Sequence, residues 1–163
     1  MSSYTNTIVK QHKDLPKLEK IKQTKKKILL LADDMRMHSG VANVSRVMVT
    51  GTIDKYDWVQ LAGAIKHPDN GKIVDMSQAM KGENPNVHNP YLKIYATDGY
   101  GNPDLLREIL ELEKPDAIIH FTDPRQWIWL YNMEREVRKN IPIMYLNIWD
   151  DLQDPIYLLV QIF

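Results

Sequence analysis

The 163-residue chain contains no cysteine. That excludes a disulfide-stapled scaffold and every thiolate nucleophile or thiolate metal site. No apolar stretch approaches the roughly 20 residues of a membrane helix, and the first residues lack the apolar segment of a secretory signal. A cytoplasmic protein without a membrane span is therefore expected. Neither charge dominates, with 21 Lys and Arg against 21 Asp and Glu. G-x-G-x-x-G and G-x-x-x-x-G-K-[ST] are both missing, which argues against a conventional dinucleotide oxidoreductase or a P-loop NTPase. So is G-x-S-x-G, the nucleophile elbow of α/β-hydrolases. The five histidines, at 12, 38, 67, 88 and 120, show no metal-ligand spacing, and neither metal nor cofactor is expected.

What remains is the composition of a globular domain, 44% hydrophobic and 26% charged, long enough to bury a core. Balanced totals hide an uneven distribution. Residues 10–27 hold eight lysines against Asp14 and Glu19. No arginine or aromatic residue is interleaved with them, as phosphate forks or base stacking would favour. A solvated arm is expected, and nucleic-acid binding is not. Leu15, Leu18 and Ile21, with Pro16, suit one short helix in it.

Beyond the arm, strand and helix patterns alternate. Ile28–Ala32 is continuously apolar, as in a strand buried on both faces. Ser39-Gly40 then leads into Val41, Val44, Val47 and Met48 at helical spacing. Residues 56–65, rich in strand formers, end at the turn signal His67-Pro68-Asp69-Asn70-Gly71. Lys72–Asp75 is a short strand, 81–90 loop by composition, and Leu92–Ala96 a strand. Asn102 and Pro103 open a helix whose apolar face is Leu105, Leu106, Ile109, Leu110 and Leu112, broken at Lys114-Pro115. Ala117–Phe121 is a strand. Thr122-Asp123-Pro124 caps a helix that runs to Asn140, and Ile141–Ile148 is the last strand. This order predicts an α/β fold: one doubly wound, mainly parallel, Rossmann-like sheet with helices on both faces, in a single domain over 27–163 preceded by the arm over 1–26.

Ligands of such sheets bind beyond the carboxyl ends of the strands. The first strand brings Asp33, Asp34, Ser39, Gly40 and Asn43 there. A later one brings His120, Thr122 and Asp123, and the last brings Asn147, Trp149, Asp150 and Asp151. Gly40 opens a loop at a helix N-terminus, where free amides and the helix dipole suit a phosphate. Asp33, His120, Asp123 and Asp150 compete for the role of general base. Asp33-Asp34 also fits the paired acids of a response regulator, but no lysine comes after the last strand. Of Trp127 and Trp129, one is expected in the core and one at its rim, with sugar stacking as the functional alternative.

Three stretches taken together resemble the N-terminal domain of GT-B glycosyltransferases of the family 4-like group. They are Ile28–Asp34 with Ser39-Gly40-Val41-Ala42, Lys114-Pro115-Asp116-Ala117-Ile118-Ile119-His120-Phe121, and Ile141–Tyr145 with Asp150-Asp151. The resemblance covers roughly residues 25–151. It implies transfer of a sugar from a nucleotide-sugar, which is a substrate and not a cofactor, to a sugar or other hydroxyl acceptor. By matched position it places the donor phosphate loop at Ser39, Gly40, Val41 and Asn43, with Ser39 where the family often has glycine. It places the acceptor at His120, Thr122, Asp123 and Asn147. The family's C-terminal donor domain, with its pyrophosphate-binding basic residues, has no counterpart here. The apolar stretch Ile156–Phe163 adds to the expectation of a truncated, acceptor-side half, inactive alone and completed by a donor domain or a homo-oligomer. The alternatives are a nucleotide- or sugar-binding module without catalysis, and an interaction protein that docks through its tail and arm.

Overall fold

The computed structural model describes residues 25–83 and 85–146. The expectations for Asn147, Trp149, Asp150 and Asp151, the arm helix and the apolar tail lie outside these residues. Among the described residues six strands form one sheet in the order β3-β4-β2-β1-β5-β6. They are β1 (Lys26–Asp33), β2 (Tyr56–Ala64), β3 (Ile73–Asp75), β4 (Leu92–Asp98), β5 (Ala117–Phe121) and β6 (Ile143–Tyr145). All neighbours run parallel except β3, which is antiparallel to β4. Among the described residues four α-helices accompany the sheet: α1 (Gly40–Thr52), α2 (Ser77–Glu83), α3 (Pro103–Glu113) and α4 (Ile128–Val137). The expected α/β fold with a mainly parallel sheet is present. Among the described residues no helix is long and apolar enough to cross a membrane.

Alternation along β1 builds two cores. Ile28, Leu30 and Ala32 pack with Val49 of α1, Met80 of α2, and Trp58 and Phe121. Leu29 and Leu31 pack with Leu106 and Ile109 of α3, and with Leu130, Met133 and Val137 of α4. A strand with both faces buried needs an unbroken apolar run, and this is why Ile28–Ala32 reads as one.

The caps agree with the sequence signals. Asn102 accepts a hydrogen bond from the Leu105 amide at 2.9 Å, Pro103 fills the first position, and Lys114 closes α3 in the left-handed region at φ 48°. Below the sheet, buried Glu113 at the end of α3 accepts from Lys27 Nζ (2.8 Å), Lys93 Nζ (3.3 Å) and the hydroxyls of Tyr91 and Tyr95 (both 2.7 Å). These contacts tie α3 to β1 and β4.

Three boundaries differ from expectation. Lys81–Glu83 are not loop but the end of α2, because Met80 is buried and its amide bonds the Met76 carbonyl at 3.0 Å. Composition missed this one-sided anchor. Helix α4 stops at Val137, where a turn takes over as the amides of Asn140 and Ile141 both bond its carbonyl. Strand β6 begins at Ile143, after Pro142, whose carbonyl accepts from Ile118. Lys25, expected in the arm, is built into the fold, with its Nζ donating to the carbonyls of Ile53, His88 and Asn89.

Candidate functional site

Strand β1 lies between β2 and β5, and the chain leaves it in one direction through α1 and returns on its other side through α3. Strand order therefore reverses at the β1–β5 boundary, and the crevice beyond its carboxyl ends is where such sheets bind ligands. Asp33 ends β1 there. Its Oδ2 accepts from Ser39 Oγ at 3.0 Å and its Oδ1 from Thr122 Oγ1 at 3.1 Å. Ser39 Oγ also accepts from the Ala42 amide at 3.0 Å as the N-cap of α1. The half-buried carboxylate thus links the start of α1 to the end of β5. No cation pairs with it among the described residues.

Asp34 turns the other way and is fully buried. Arg36 grips it through Nε (3.0 and 3.1 Å) and Nη2 (2.6 Å), and Arg36 Nη1 reaches Asp69 at 3.0 Å. His67 Nδ1 accepts from the Asp69 amide at 3.0 Å, so its Nε2–H donates to Asp34 Oδ2 at 2.9 Å. The Arg36 bonds outweigh burial and hold the Asp34 carboxyl below its usual range. Adjacent in sequence, the two acids serve different purposes and form no paired-acid cation site. Buried Gln60 separates them: its Nε2 donates to the Asp33 carbonyl at 2.7 Å and its Oε1 accepts from the Met35 amide at 3.3 Å.

The turn after β4 closes over the crevice. Gly63, the register partner of Asp33, leaves room for it. A Cβ at Gly63 would lie 2.8 Å from the Gly99 carbonyl oxygen and 2.8 Å from Tyr100 Cδ1. Burial and the nearby charges of Asp33 and Asp123 push the Tyr100 hydroxyl pKa up, so it stays protonated. Gly63→Ala is expected to displace Tyr100 and cost about 1–3 kcal/mol. Urea unfolding measures the cost, and the Tyr100 ring resonances report the displacement.

On the β5 side, Asp123 caps a turn of 3-10 helix (Pro124–Trp127) by accepting from the Arg125 amide at 2.9 Å. Both its oxygens are held by Arg125, at 3.0, 3.0 and 2.6 Å. His120 has no exposed surface. Its ring lies among Trp127, Tyr131 and Tyr145, at centroid distances of 5.1, 5.7 and 5.2 Å. Nδ1 meets the Tyr131 hydroxyl at 2.7 Å, and Nε2 has no partner among the described residues. Burial pushes its pKa down to about 4, only partly offset by Asp123. Trp127 is fully buried and Trp129 partly so, and the indole N–H of each is buried without a partner among the described residues. Their rings are 5.4 Å apart, and Tyr100 meets Trp127 edge-on at 5.9 Å.

Of the residues singled out from sequence, Asp33, Ser39 and Thr122 form one hydrogen-bonded group, and Tyr100 lies close enough to both Asp33 and Asp123 to interact electrostatically. Gly40 and Asn43 are exposed on the first turn of α1, and Val41 packs on the core. Nothing lies within 4 Å of a Cβ built on Gly40, so packing does not demand the glycine. Sequence reasoning missed Gln60, Gly63, Tyr100, and the joint hold of Arg36 and His67 on Asp34. A glutamine inside Val59–Ala62 and the Gly99-Tyr100-Gly101 turn after a strand were the available signals. Among the described residues no group of His, Asp and Glu suits a metal ion. Compared with protein-family models, curated proteins and solved structures, the chain matches none.

Proposed function

We propose that the chain is the acceptor-side half of a GT-B-like glycosyltransferase, holding the hydroxyl compound to which a sugar is transferred from a nucleotide-sugar, and inactive without a donor-binding partner. The observation that carries this reading is the Asp33 carboxylate, held at the strand-order reversal by Ser39 and Thr122. A carboxylate fixed by two hydroxyls and, among the described residues, free of any cation is suited to accept a hydrogen bond from an incoming hydroxyl, and as a base to take its proton. Asp123 and the Tyr100 hydroxyl add polar groups at the same edge, and Trp129 adds a ring. The resemblance of the β1, β5 and β6 stretches to the family 4-like group speaks for the same reading.

The test is a two-part titration of the full chain. Simple glycosides are expected to shift the amide resonances of Asp33, Ser39 and Thr122. No sugar is expected to pass from UDP- or GDP-sugars to those glycosides. Transfer by the chain alone overturns the inactive-half reading. Tight binding of UDP or GDP with no response to glycosides overturns the acceptor side and favours a stand-alone nucleotide-binding module.

A further inference from the structure

The two faces of the sheet are covered unequally. Helices α3 and α4 pack on the face of Leu29 and Leu31, where Ile118 of β5 and Ile143 of β6 are buried beneath them. Among the described residues, only α1 and α2 contribute to the core on the other face. Helix α1 leads from β1 to β2, and α2 starts beside β4, where the Met76 amide bonds the Leu92 carbonyl at 2.8 Å. The register partners Ile119 and Met144 lie on this face, beyond β1. Ile119 is only partly buried, and Met144 is 48% exposed. Leu146, two residues on, shares the face of Met144. Its amide extends the ladder to the His120 carbonyl at 2.9 Å, and its side chain is 42% exposed.

Helix α1 walls this strip on one side. Arg46 donates to the Met35 carbonyl at 2.9 and 2.6 Å, and the Met35 amide donates to Gln60 of β2. The Arg46 flank of α1 therefore faces β2. By the helical repeat, Val41, Val44 and Met48 fall on the opposite flank, towards β5. Val41 and Met48 pack on the same core as Ile119, and Val44 is 48% exposed. A contiguous apolar surface of this kind marks a docking site.

The sequence supplies an occupant. Residues 147–163 follow Leu146 directly, from the edge of the strip, and lie outside the described residues. Over 156–163 every residue except Gln161 is hydrophobic. The linker 147–155 can span roughly 30 Å, whereas α1 lies about 10 Å from β6, two strand spacings away. A segment tethered so closely acts at an effective concentration on the order of millimolar, an advantage that a second copy lacks. The Lys-rich arm is worse placed. Lys25, where it joins the fold, is bonded to the carbonyls of Ile53, His88 and Asn89, on the way to β4. Addition of a further strand is also disfavoured. The bonds to β5 come from Pro142 and Leu146, so the Ile143 carbonyl faces the outer edge of β6. Arg138 caps it at 3.1 Å and blunts that edge.

We propose that residues 156–163 fold back within the same chain onto the strip between α1 and β6, and cover Val44, Met144 and Leu146. This docking is independent of the acceptor-side reading.

The chain has no cysteine, so Gln161→Cys in the full chain carries a nitroxide at a single site. Methionine methyl signals are recorded with the nitroxide active and then reduced. Met48 and Met144 are expected to lose most of their intensity, and Met80 beside β4 and Met133 on the opposite face to keep more of theirs. Isotope-labelled chains without nitroxide, mixed with nitroxide-bearing unlabelled chains, should lose none. Val44→Glu together with Leu146→Glu, both at exposed positions, should restore the Met48 and Met144 signals, with the amide spectrum confirming the fold. Loss of those signals in the mixed sample makes a second copy the occupant and overturns the proposal. Full Met48 and Met144 intensity in the folded nitroxide-bearing chain also overturns it, and leaves the strip to the arm or to another protein. Broadening that survives both glutamates in a folded chain overturns it as well.

Discussion

Glu113→Ala is expected to cost about 3–5 kcal/mol, the range for breaking a buried charge pair by removing one partner. The side chain is 4% exposed and ion-paired to Lys27 and Lys93, with Tyr91 and Tyr95 donating to it as well. Its removal leaves two partly buried ammonium groups and two tyrosine hydroxyls without their acceptor. Burial alone would raise the Glu113 pKa, but the bonds from Lys27, Tyr95 and Tyr91 together prevail and lower it from 4.5 to about 2. A carboxyl whose folded pKa lies below its unfolded value contributes stability above the unfolded value. That contribution is lost as the pH falls through the folded one. The shift is worth about 3 kcal/mol, which agrees with the low end of the truncation cost. Glu113→Gln should flatten the stability curve between pH 4.5 and 2. Urea unfolding of wild type and both variants across that range is the measurement, and a loss below about 1 kcal/mol for Glu113→Ala would show that the cluster is an ornament of the surface.

The arrangement of strands was legible because burial on both faces leaves a plain trace. Ile28–Ala32 and Ala117–Phe121 have no alternation because they have no wet side, and Asn102-Pro103 and Lys114-Pro115 bracket α3 with side-chain chemistry that acts locally. Helix α2 was not legible, since Lys81-Gly82-Glu83 are exposed and only Met80 holds the helix down. A single anchor leaves no periodicity to read. The antiparallel sense of β3 was hidden for a related reason. A three-residue strand carries no direction in its composition, and its sense is set by the tight turn at His67–Lys72, where the Asn70 and Lys72 amides bond back to His67 and Asp69.

The site divides along the same line. Asp33, Ser39 and Thr122 could be found from the polar residues at and just beyond the end of each apolar run, because strand ends in a parallel sheet gather at one edge. Their mutual bonding could not be read that way. It depends on Gln60 turning the chain between Asp33 and Met35, and on Gly63 admitting the turn at Tyr100. Both act across strands, on partners at sequence separations that no local pattern encodes. The division between Asp33 and Asp34 is invisible to a reading by residue type, since two identical side chains in succession differ here in the partners they meet, Ser39 and Thr122 for the first and Arg36 and His67 for the second.

A second large effect is expected in a different pH window, from His120. Its ring is sealed among Trp127, Tyr131 and Tyr145, and burial lowers its pKa from 6.5 to about 4, with Asp123 the nearby charge that opposes the shift. Here the folded value lies below the unfolded one for a base. The unfolded chain therefore binds a proton between pH 6.5 and 4 that the folded chain refuses, and stability falls as the pH drops through that interval. The expected loss from this group is about 3 kcal/mol. It is complete before the Glu113 contribution is spent, so the two can be separated on one curve. His120→Asn, which keeps a polar group near the Tyr131 hydroxyl and does not titrate, should remove the slope between pH 6.5 and 4 while leaving the lower limb in place. The carbon-bound proton resonances of the His120 ring should show no titration above about pH 5. The same measurement decides what chemistry the ring can perform. A neutral imidazole with Nδ1 engaged by Tyr131 has only Nε2 to offer, and at pH 7 it carries no proton beyond the one its neutral form requires, so it is unfit as a general acid. If the ring titrates near 6.5, it is open to water in solution, and His120 joins Asp33 as a candidate for the proposed proton acceptor. If it titrates near 4, Asp33 is left as the candidate without it.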